Sequence, residues 1–302
     1  MSRSVQHHTY GGPEILEVVE VVEPEAGPGE VKVRITAASL NPVDWKIFTG
    51  PAAEAFGLRL PSGVGNDLAG IVEAVGEGVT EFAPGDRVFG GHRFHALADY
   101  AAVPATRLWH TPDEVDDVTA ATLDIAARTA VAAVDAAELG PGDTVLIGGA
   151  AGGVGVFAVQ YAAGLGATVL GTASPANHAA LRELGVAPVA YGDGLLDRVR
   201  EQAPDGLAAV VDLHGADALE VGKTIGVPPG RLISITHAAG AYGGRDTGGA
   251  DARPDAIDDI VGRIAEKRLT VPIAATFSLE ETRAAYELLI GGHLFGKIVV
   301  LP

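Results

Sequence analysis

The segment at residues 144–155, TVLIGGAAGGVG, joins a short apolar run to a glycine-rich turn. Val145, Leu146 and Ile147 are β-formers that lead directly into the glycines, and an apolar helical stretch follows as far as Gly164. Glycines let the backbone approach a phosphate closely, and the first N–H groups of a helix point towards it. The segment therefore predicts a dinucleotide phosphate site, although an ordinary tight turn between a strand and a helix would use the same residues.

The strand that follows this turn carries information about the nucleotide. It is expected at residues 167–173, one helix after the glycines, as a βαβ unit requires. It runs into Ser174, and no carboxylate appears before Glu183. A carboxylate at this point binds the adenosine ribose of NAD and would repel a 2′-phosphate. Ser174 and His178 instead favour NADPH, although Ser174 could also act as a cap for the next helix.

Composition limits the classes of protein to which the chain can belong. Its 302 residues suffice for two domains with a sizeable core. The absence of cysteine excludes disulfides, thiolate nucleophiles and cysteine-containing zinc sites. A net charge of −18 argues against nucleic acid and anionic membrane surfaces as partners. No apolar run approaches the roughly 18 residues of a membrane span, and the N-terminus lacks the apolar core of a signal peptide. A cytoplasmic protein is expected.

The pattern of the first part of the chain is typical of strands and turns. Apolar and charged side chains alternate over residues 31–35, which predicts a half-buried strand. Further strands are expected at 71–75 and 87–89, separated by glycine- and proline-containing turns.

From about Val118 the pattern changes to alternating strands and helices. An alanine-rich helix is expected at 120–139. The strands that follow are predicted at 144–149, 167–173, 188–191, 208–213 and 230–236, and the helices at 153–164, 176–184, 194–202 and 255–267. This alternation predicts a doubly wound parallel sheet. The glycine-rich run at 243–249 is expected to form a mobile loop, and the tail to contain strands at 271–274 and 296–300 around a helix at 279–290.

Seven short motifs spread over nearly the whole chain carry a family resemblance. They are NPVD at 41–44, GNDLAGIV at 65–72, VGEGV at 75–79, PGDRV at 84–88, the glycine run at 148–155, RELG at 182–185 and GKIV at 296–299. In this order they resemble the medium-chain dehydrogenases/reductases, in the zinc-independent quinone oxidoreductase branch of zeta-crystallin-like proteins.

The resemblance implies an α/β protein with two domains. A GroES-like β-rich catalytic domain is expected at 1–117 and 270–302, and a Rossmann NADP-binding domain at 118–269, with the active cleft between them. The family often forms homodimers by joining Rossmann sheets edge to edge, with the strand at 231–236 as the candidate edge.

A metal site is not expected. Zinc-containing relatives have Gly-His-Glu where this chain has Gly65-Asn66-Asp67, so that Asn66 replaces a ligand histidine. A catalytic zinc needs three protein ligands of the His, Cys or carboxylate kind. His92 and His95 lie three residues apart, but their segment is typical of a loop.

Chemistry without a Lewis acid favours conjugated acceptors, because a quinone or an α,β-unsaturated carbonyl spreads the charge of an incoming hydride. The resemblance implies the same reaction, the NADPH-dependent reduction of quinones or activated C=C bonds. Three residues are the catalytic candidates: Asn41 as a donor to the acceptor oxygen, Lys46 as a cation or proton source, and Asp67 as an organiser of the cleft floor. The apolar walls of the substrate pocket are assigned to Trp45, Phe48, Phe94 and Ile125. An Asn-Pro turn, a surface lysine and ordinary core aromatics are the alternatives.

The resemblance also assigns residues to the cofactor. The residues expected at the pyrophosphate are Gly152, Gly153, Val154 and Gly155. Those expected at the 2′-phosphate or adenosine are Ser174, His178 and Tyr191. Thr129 and Thr236 are expected near the nicotinamide, and Lys297 is expected to reach the cofactor from a closing loop. His178 stands where lysine or arginine is common, so that affinity for the 2′-phosphate would depend on pH.

Two other functions remain open on the sequence. The first is an enoyl-thioester or biosynthetic double-bond reductase, which needs a basic rim that the acidic composition does not favour. The second is a non-catalytic NADPH-binding protein with a structural or sensing role.

Overall fold

The computed structural model describes all residues from Met1 to Pro302 and separates into two compact units. Unit 1 comprises Met1–Ile125, Ile273–Gly292 and Lys297–Pro302, and unit 2 comprises Ala126–Pro272 and His293–Gly296. The first change from unit 1 to unit 2 falls after Ile125, and a short loop near the C-terminus belongs to unit 2.

Sixteen strands and nine α-helices make up the two units. The strands are β1 (Ser2–His7), β2 (Glu17–Val21), β3 (Glu30–Ser39), β4 (Ser62–Gly63), β5 (Asp67–Val75), β6 (Arg87–Gly91), β7 (Tyr100–Pro104), β8 (Leu108–His110), β9 (Thr144–Gly148), β10 (Thr168–Ala173), β11 (Ala187–Ala190), β12 (Ala209–Asp212), β13 (Leu232–Ser234), β14 (Arg245–Asp246), β15 (Ile273–Ser278) and β16 (Lys297–Leu301). The helices are α1 (Pro42–Phe48), α2 (Asp117–Ala120), α3 (Leu123–Ala136), α4 (Gly155–Gly164), α5 (His178–Glu183), α6 (Leu195–Gln202), α7 (Asp217–Ile225), α8 (Ala256–Ala265) and α9 (Thr282–Gly291). None of these helices has the length and apolar character needed to cross a membrane.

Unit 2 is built on a six-stranded parallel sheet. The strand order is β11-β10-β9-β12-β13-β14, which in chain order within the unit is the 3-2-1-4-5-6 arrangement of a doubly wound sheet. Leu146 in the central strand pairs with Leu170 on one side and Val210 on the other, and all three side chains are buried. Parallel strands that are covered on both faces have continuous apolar sequences, which is why the sequence pattern predicted these strands. The predicted fold class is confirmed.

The glycine-rich run at 243–249 corrects two predictions. It is not a loop throughout, because Arg245–Asp246 forms β14 and pairs with β13. The strand at Leu232–Ser234 is therefore internal, and the edges of the sheet are β11 and β14. The candidate dimer edge at 231–236 was wrong for this reason. A strand of two residues has no periodicity that a sequence pattern can reveal.

Unit 1 is β-rich, with a seven-stranded sheet and a smaller sheet of β2, β1 and β4. Strand β3 pairs with β5, β7 and β16. Val31 and Val33 are fully buried as the alternation predicted. Lys32, between them, is also buried, because its ammonium group pairs with Glu23 at 2.5 Å.

The C-terminal strand completes this sheet. Strand β16 runs parallel to β15 and antiparallel to β3, with Val299 opposite Ser39. On its other side Ser39 lies opposite Asp67, the first residue of β5. Residues that are far apart in the chain, Lys297, the turn after Ser39 and Asp67, are thereby brought to one end of the sheet.

Candidate functional site

The glycine-rich turn of unit 2 is held by hydrogen bonds and by close packing. The Gly149 N–H donates to Thr172 Oγ1 and the Ala150 N–H donates to the Thr172 carbonyl, both at 3.0 Å. Gly149 has a φ of +75°, in the left-handed region that favours glycine. A Cβ on Gly155 would lie 2.2 Å from the Gly149 carbonyl oxygen, so that only glycine fits where α4 meets the turn.

The turn presents free donors at the N-terminus of α4. The N–H groups of Gly153, Val154 and Gly155 donate no hydrogen bond to another protein group. Gly152, Gly153 and Val154 are only partly buried. Unsatisfied N–H groups at the start of a ten-residue helix carry partial positive charge and bind phosphate oxygens. The residues expected at a pyrophosphate therefore fit one.

The residues expected at the adenosine end lie after β10. The Ser174 hydroxyl is buried and makes no hydrogen bond, so that it does not act as a helix cap. His178 Nε2 lies 3.3 Å from the Ala173 carbonyl oxygen. The Tyr191 hydroxyl, on a side chain that is 45% exposed, lies 3.2 Å from His293 Nδ1. His293 was missed because it is distant in sequence and belongs to no motif.

The candidates for the nicotinamide half are already engaged within unit 2 or buried. Thr236 Oγ1 donates to Asp212 Oδ2 at 2.9 Å, and Ser234 Oγ donates to the same oxygen at 2.8 Å. Asp212 is fully buried at the end of β12, next to Gly148 of β9, and sequence reasoning missed it. Thr129 lies in α3 and is 9% exposed.

Unit 1 contains a buried polar cluster around Asp67. Asn41 Nδ2 donates to Asp67 Oδ2 at 2.9 Å, and Asn66 Nδ2 donates to Asp67 Oδ1 at 2.8 Å. Lys297 Nζ donates to Asn41 Oδ1 at 2.7 Å and to the Leu40 carbonyl at 3.0 Å. The four side chains of Asn41, Asn66, Asp67 and Lys297 are each at most 3% exposed. Two of the three catalytic candidates, Asn41 and Asp67, are thus brought together.

Burial dominates the electrostatics of this cluster. It raises the pKa of Asp67 to about 6, and the charge of Asp124 acts in the same direction. Burial also raises the pKa of Asp44 to about 7, although the Asn41 N–H donates to this carboxylate at 2.8 Å. The pKa of Lys297 is lowered by burial, against the charges of Asp67 and Asp44. The carboxyl groups of the cluster therefore change protonation near neutral pH.

The structure corrects the expected places of two lysines. Lys297 is not in a closing loop but is the first residue of β16, and its ammonium group is bound inside unit 1. Lys46 is exposed and does not join the cluster; its ammonium group lies over the Trp45 ring, 6.0 Å from the ring centroid. The buried lysine next to Asn41 is thus a different one from the predicted lysine.

The residues expected to form the substrate walls differ in exposure. Phe48 is 1% exposed and packs edge-on against Tyr286 at 5.0 Å, so that it is almost fully buried. Trp45, Phe94 and Ile125 are partly exposed. The Ile125 N–H donates to Asp67 Oδ2 at 3.4 Å, which places this residue beside the cluster.

Several members of the cluster were missed by sequence reasoning. Asp44 and Tyr286 are buried together, and burial followed by the charge of Asp44 raises the pKa of Tyr286 well above its usual value. Asn66 Oδ1 is also buried without a hydrogen-bond partner. Asp44 follows Asn41 in the NPVD motif, which was the one available signal.

Comparisons with known proteins agree with this architecture. Residues 27–113 match the family model of the alcohol dehydrogenase GroES-like domain, which confirms the expected β-rich domain, and residues 184–300 match that of zinc-binding dehydrogenases. The chain is 33% identical to a quinone oxidoreductase of Pseudomonas aeruginosa, with all of both chains covered. It is similar to a mycobacterial protein solved in complex with NADPH, at 25% identity and a TM-score of 0.87 over the whole of both chains. It is also similar to a solved NAD-dependent alcohol dehydrogenase, at 29% identity and a TM-score of 0.88 over 99% of each chain.

The residues of this chain do not fit the zinc that the second family description names. No group of three or more His, Cys, Asp or Glu side chains is arranged to hold a metal ion. His92 and His95 stack with ring centroids 4.6 Å apart, and burial, with smaller contributions from His95 and Arg107, lowers the pKa of His92 to about 4. A zinc site needs three such ligands, and Asn66 offers an amide in place of one of them.

Proposed function

Because this chain belongs to the quinone oxidoreductase family of the medium-chain dehydrogenases/reductases, we propose that it is an NADPH-dependent reductase of quinones or of the activated C=C bonds of α,β-unsaturated carbonyls. The observation that carries the proposal is the turn between β9 and α4. Its free N–H groups at Gly153, Val154 and Gly155, and a Gly155 that admits no Cβ, suit a dinucleotide pyrophosphate.

The preference for NADPH over NADH rests on the end of β10. Ser174 follows this strand, and no carboxylate stands there to repel a 2′-phosphate. His178 and the Tyr191–His293 pair, 3.2 Å apart, supply polar groups in the same region of unit 2. Of the two similar structures, one is a complex with NADPH and the other is an NAD-dependent alcohol dehydrogenase, so this preference is the first property to measure.

The reaction that we propose is a two-electron reduction. NADPH, when bound, supplies a hydride, and the acceptor takes that hydride and one proton to become a hydroquinone or a saturated carbonyl compound. No step passes through a metal. Asn41 is proposed to orient the acceptor oxygen, and the cluster around Asp67 to hold the amide of Asn41 in place through its bonds at 2.9 and 2.7 Å. The carboxyl groups of Asp44 and Asp67, with pKa values of about 7 and about 6, are proposed to keep a proton available near neutral pH.

The test is a set of initial-rate measurements with NADPH and NADH. The acceptors are 1,4-benzoquinones, simple enones and an enoyl-thioester, the last of which separates the biosynthetic alternative. We expect kcat/KM to be higher with NADPH and with quinones or enones than with the thioester. Tight cofactor binding without oxidation of NADPH or NADH by any acceptor would refute the proposal and favour the non-catalytic alternative.

Two further properties stay predictions. A homodimer is expected from the family resemblance, and sedimentation velocity at two concentrations measures it. A cytoplasmic location is expected from the composition, and fractionation of the source cells measures it.

A further inference from the structure

Backbone hydrogen bonds to a neighbouring segment fix the conformation of the turn after β6. The N–H groups of His92, Phe94 and Leu97 donate to the carbonyls of Asn66, Gly65 and Val64 at 2.9, 2.7 and 3.1 Å. Phe94 has a φ of +73°, in the left-handed region, where a bulky residue is strained. Such strain persists only where the surrounding structure determines the backbone, and it is common at ligand sites.

Close packing holds the same turn. A Cβ on Gly63 would lie 2.0 Å from the Phe94 carbonyl oxygen, so that the turn approaches β4 as closely as backbone allows. The residue presented by this rigid turn is Arg93.

The Arg93 side chain has no polar partner. It is half-buried, and its guanidinium lies over the Phe56 ring, 4.3 Å from the ring centroid. It makes neither a hydrogen bond nor an ion pair with any residue. Other half-buried arginines of this acidic chain are paired, as Arg87 is with Asp117 at 2.6 Å and Arg231 with Asp143 at 3.1 Å. A half-buried guanidinium without a polar partner therefore distinguishes Arg93 from Arg87 and Arg231 in this chain of net charge −18.

The charged groups near Arg93 do not neutralise it by contact. Asp44 and Asp124 act on it electrostatically, but Asp44 accepts the Asn41 N–H and Asp124 lies 3.9 Å from Arg107. The positive charge of Arg107 lowers the pKa of both Arg93 and His92. For Arg93, only burial lowers the pKa more. Two guanidinium groups thus lie on the same part of unit 1. The acidic groups that act on Arg93 or on its neighbour His92 are Asp44, Asp124 and Glu30.

A small cavity connects this turn with the buried polar cluster. It has a volume of about 10 Å³, enough for one water molecule, and its lining includes Arg93, Phe94, Phe48 and Asp44. Asp44 belongs to the cluster that holds Asn41. A ligand group on the open edge of Arg93 would therefore be near the residues proposed to orient the acceptor.

We propose that Arg93 binds an anionic group, a carboxylate, carried by the quinone or enone that this protein reduces. The inference rests on the proposed function, because it names the substrate class of the same reaction. A guanidinium stacked on an aromatic face keeps its N–H edges free, and its planar donors match the two oxygens of a carboxylate. The stacking on Phe56 fixes the orientation of Arg93 before a ligand binds, so that little side-chain entropy is lost on binding.

The test compares one acceptor in two charge states. The probes are 1,4-benzoquinonyl acetate and its methyl ester, whose rings are insulated from the carboxylate by a methylene group. The measured quantity is the ratio of kcat/KM for the acid to kcat/KM for the ester, in the wild type, Arg93→Gln and Arg59→Gln. Arg59 is a solvent-exposed arginine of unit 1, so that its replacement removes the same charge from the same unit.

We expect the acid to be preferred by the wild type and the ratio to fall about tenfold in Arg93→Gln, the size of one charge-assisted pair. The ratio should stay within about twofold in Arg59→Gln. A wild type without preference for the acid, or an equal loss for acid and ester in Arg93→Gln, would overturn the proposal. An equal fall in both arginine variants would overturn it as well, because it would indicate a general effect of net charge.

A binding measurement separates this inference from the proposed function. Calorimetry with the hydroquinone acid and its ester needs no turnover. Weaker binding of the acid alone in Arg93→Gln, with partial recovery in Arg93→Lys, would support the site even if no acceptor were reduced. Unchanged acid binding in Arg93→Gln, in a variant whose unfolding midpoint matches the wild type, would exclude it.

Discussion

Replacement of Lys297 by methionine tests whether the buried cluster of unit 1 depends on its single cation. Methionine has a similar length and keeps the side-chain packing, but it cannot donate to Asn41 Oδ1 or to the Leu40 carbonyl, which Lys297 contacts at 2.7 and 3.0 Å. Both acceptors lie in residues that are at most 2% exposed, so that water cannot replace the ammonium group without entering the core.

The magnitude follows from these two lost bonds. A buried acceptor left unsatisfied costs about 1–3 kcal/mol, so two cost about 2–6 kcal/mol. Part of this is offset, because burial of the ammonium group is itself unfavourable, as the lowered pKa of Lys297 indicates. We therefore expect a loss of about 2–4 kcal/mol. The pKa of Asp67 and Asp44 should also rise, since the charge of Lys297 now lowers both.

The assay uses the two tryptophans of the chain. Trp45 and Trp109 both lie in unit 1, so tryptophan fluorescence in a urea titration reports on the unfolding of that unit. Lys46→Met is the matched control, because Lys46 is exposed and its replacement should change stability by less than about 0.5 kcal/mol.

The reasoning is refuted if Lys297→Met loses less than about 1 kcal/mol while Lys46→Met behaves as expected. Such a result would mean that the stabilisation from the hydrogen bonds of Lys297 is no larger than the free-energy cost of burying its ammonium group.

Three further predictions concern the cofactor and pH. Gly155→Ala should weaken NADPH binding by at least about tenfold in a fluorescence titration, because its Cβ would lie 2.2 Å from a backbone carbonyl, whereas Gly262→Ala, with open space around it, should not. In Ser174→Asp the ratio of kcat/KM with NADPH to that with NADH should fall about tenfold through repulsion of the 2′-phosphate, and an unchanged ratio would contradict the NADPH assignment. The contribution of Asp67 and Asp44 to the stability of unit 1 should fall as pH rises from about 4 to about 7, because their raised pKa values make the folded chain bind more protons than the unfolded chain. The urea midpoint of the wild type should therefore fall relative to that of Asp67→Asn over this pH range, and a relative rise would contradict the reasoning.

Part of the site was predictable because its signals are local. The position of Asn41 and Asp67 in short motifs identified two members of the cluster, and the Asn41 amide does bond to Asp67 at 2.9 Å. Which of two lysines lies beside Asn41 could not be predicted from neighbouring residues. Lys46 and Lys297 are the same residue type, the first lying two residues after the NPVD motif and the second within the GKIV motif, but Lys46 is exposed and Lys297 is buried. Burial depends on which strands pair, and β16 pairs with β3 although the two strands are far apart in the sequence.

The unpaired state of Arg93 was also invisible in the sequence. Whether a guanidinium finds a carboxylate depends on side chains from several elements, here Asp44 from α1 and Asp124 from α3. The two-residue strand β14 was also invisible in the sequence. It is a strand only because it pairs with β13, and this pairing depends on the tertiary structure.

The sequence by itself determined the alternating strands and helices of unit 2, the parallel sheet and the glycine-rich turn. These depend on side-chain periodicity and on the positive φ that glycine tolerates, which are properties of neighbouring residues. The tertiary structure alone decided which lysine joins Asn41, which strands lie at the edges of the sheet, and that the half-buried Arg93 has no carboxylate partner. Burial and charge pairing join residues as far apart as Asn41 and Lys297, and no local pattern encodes such contacts.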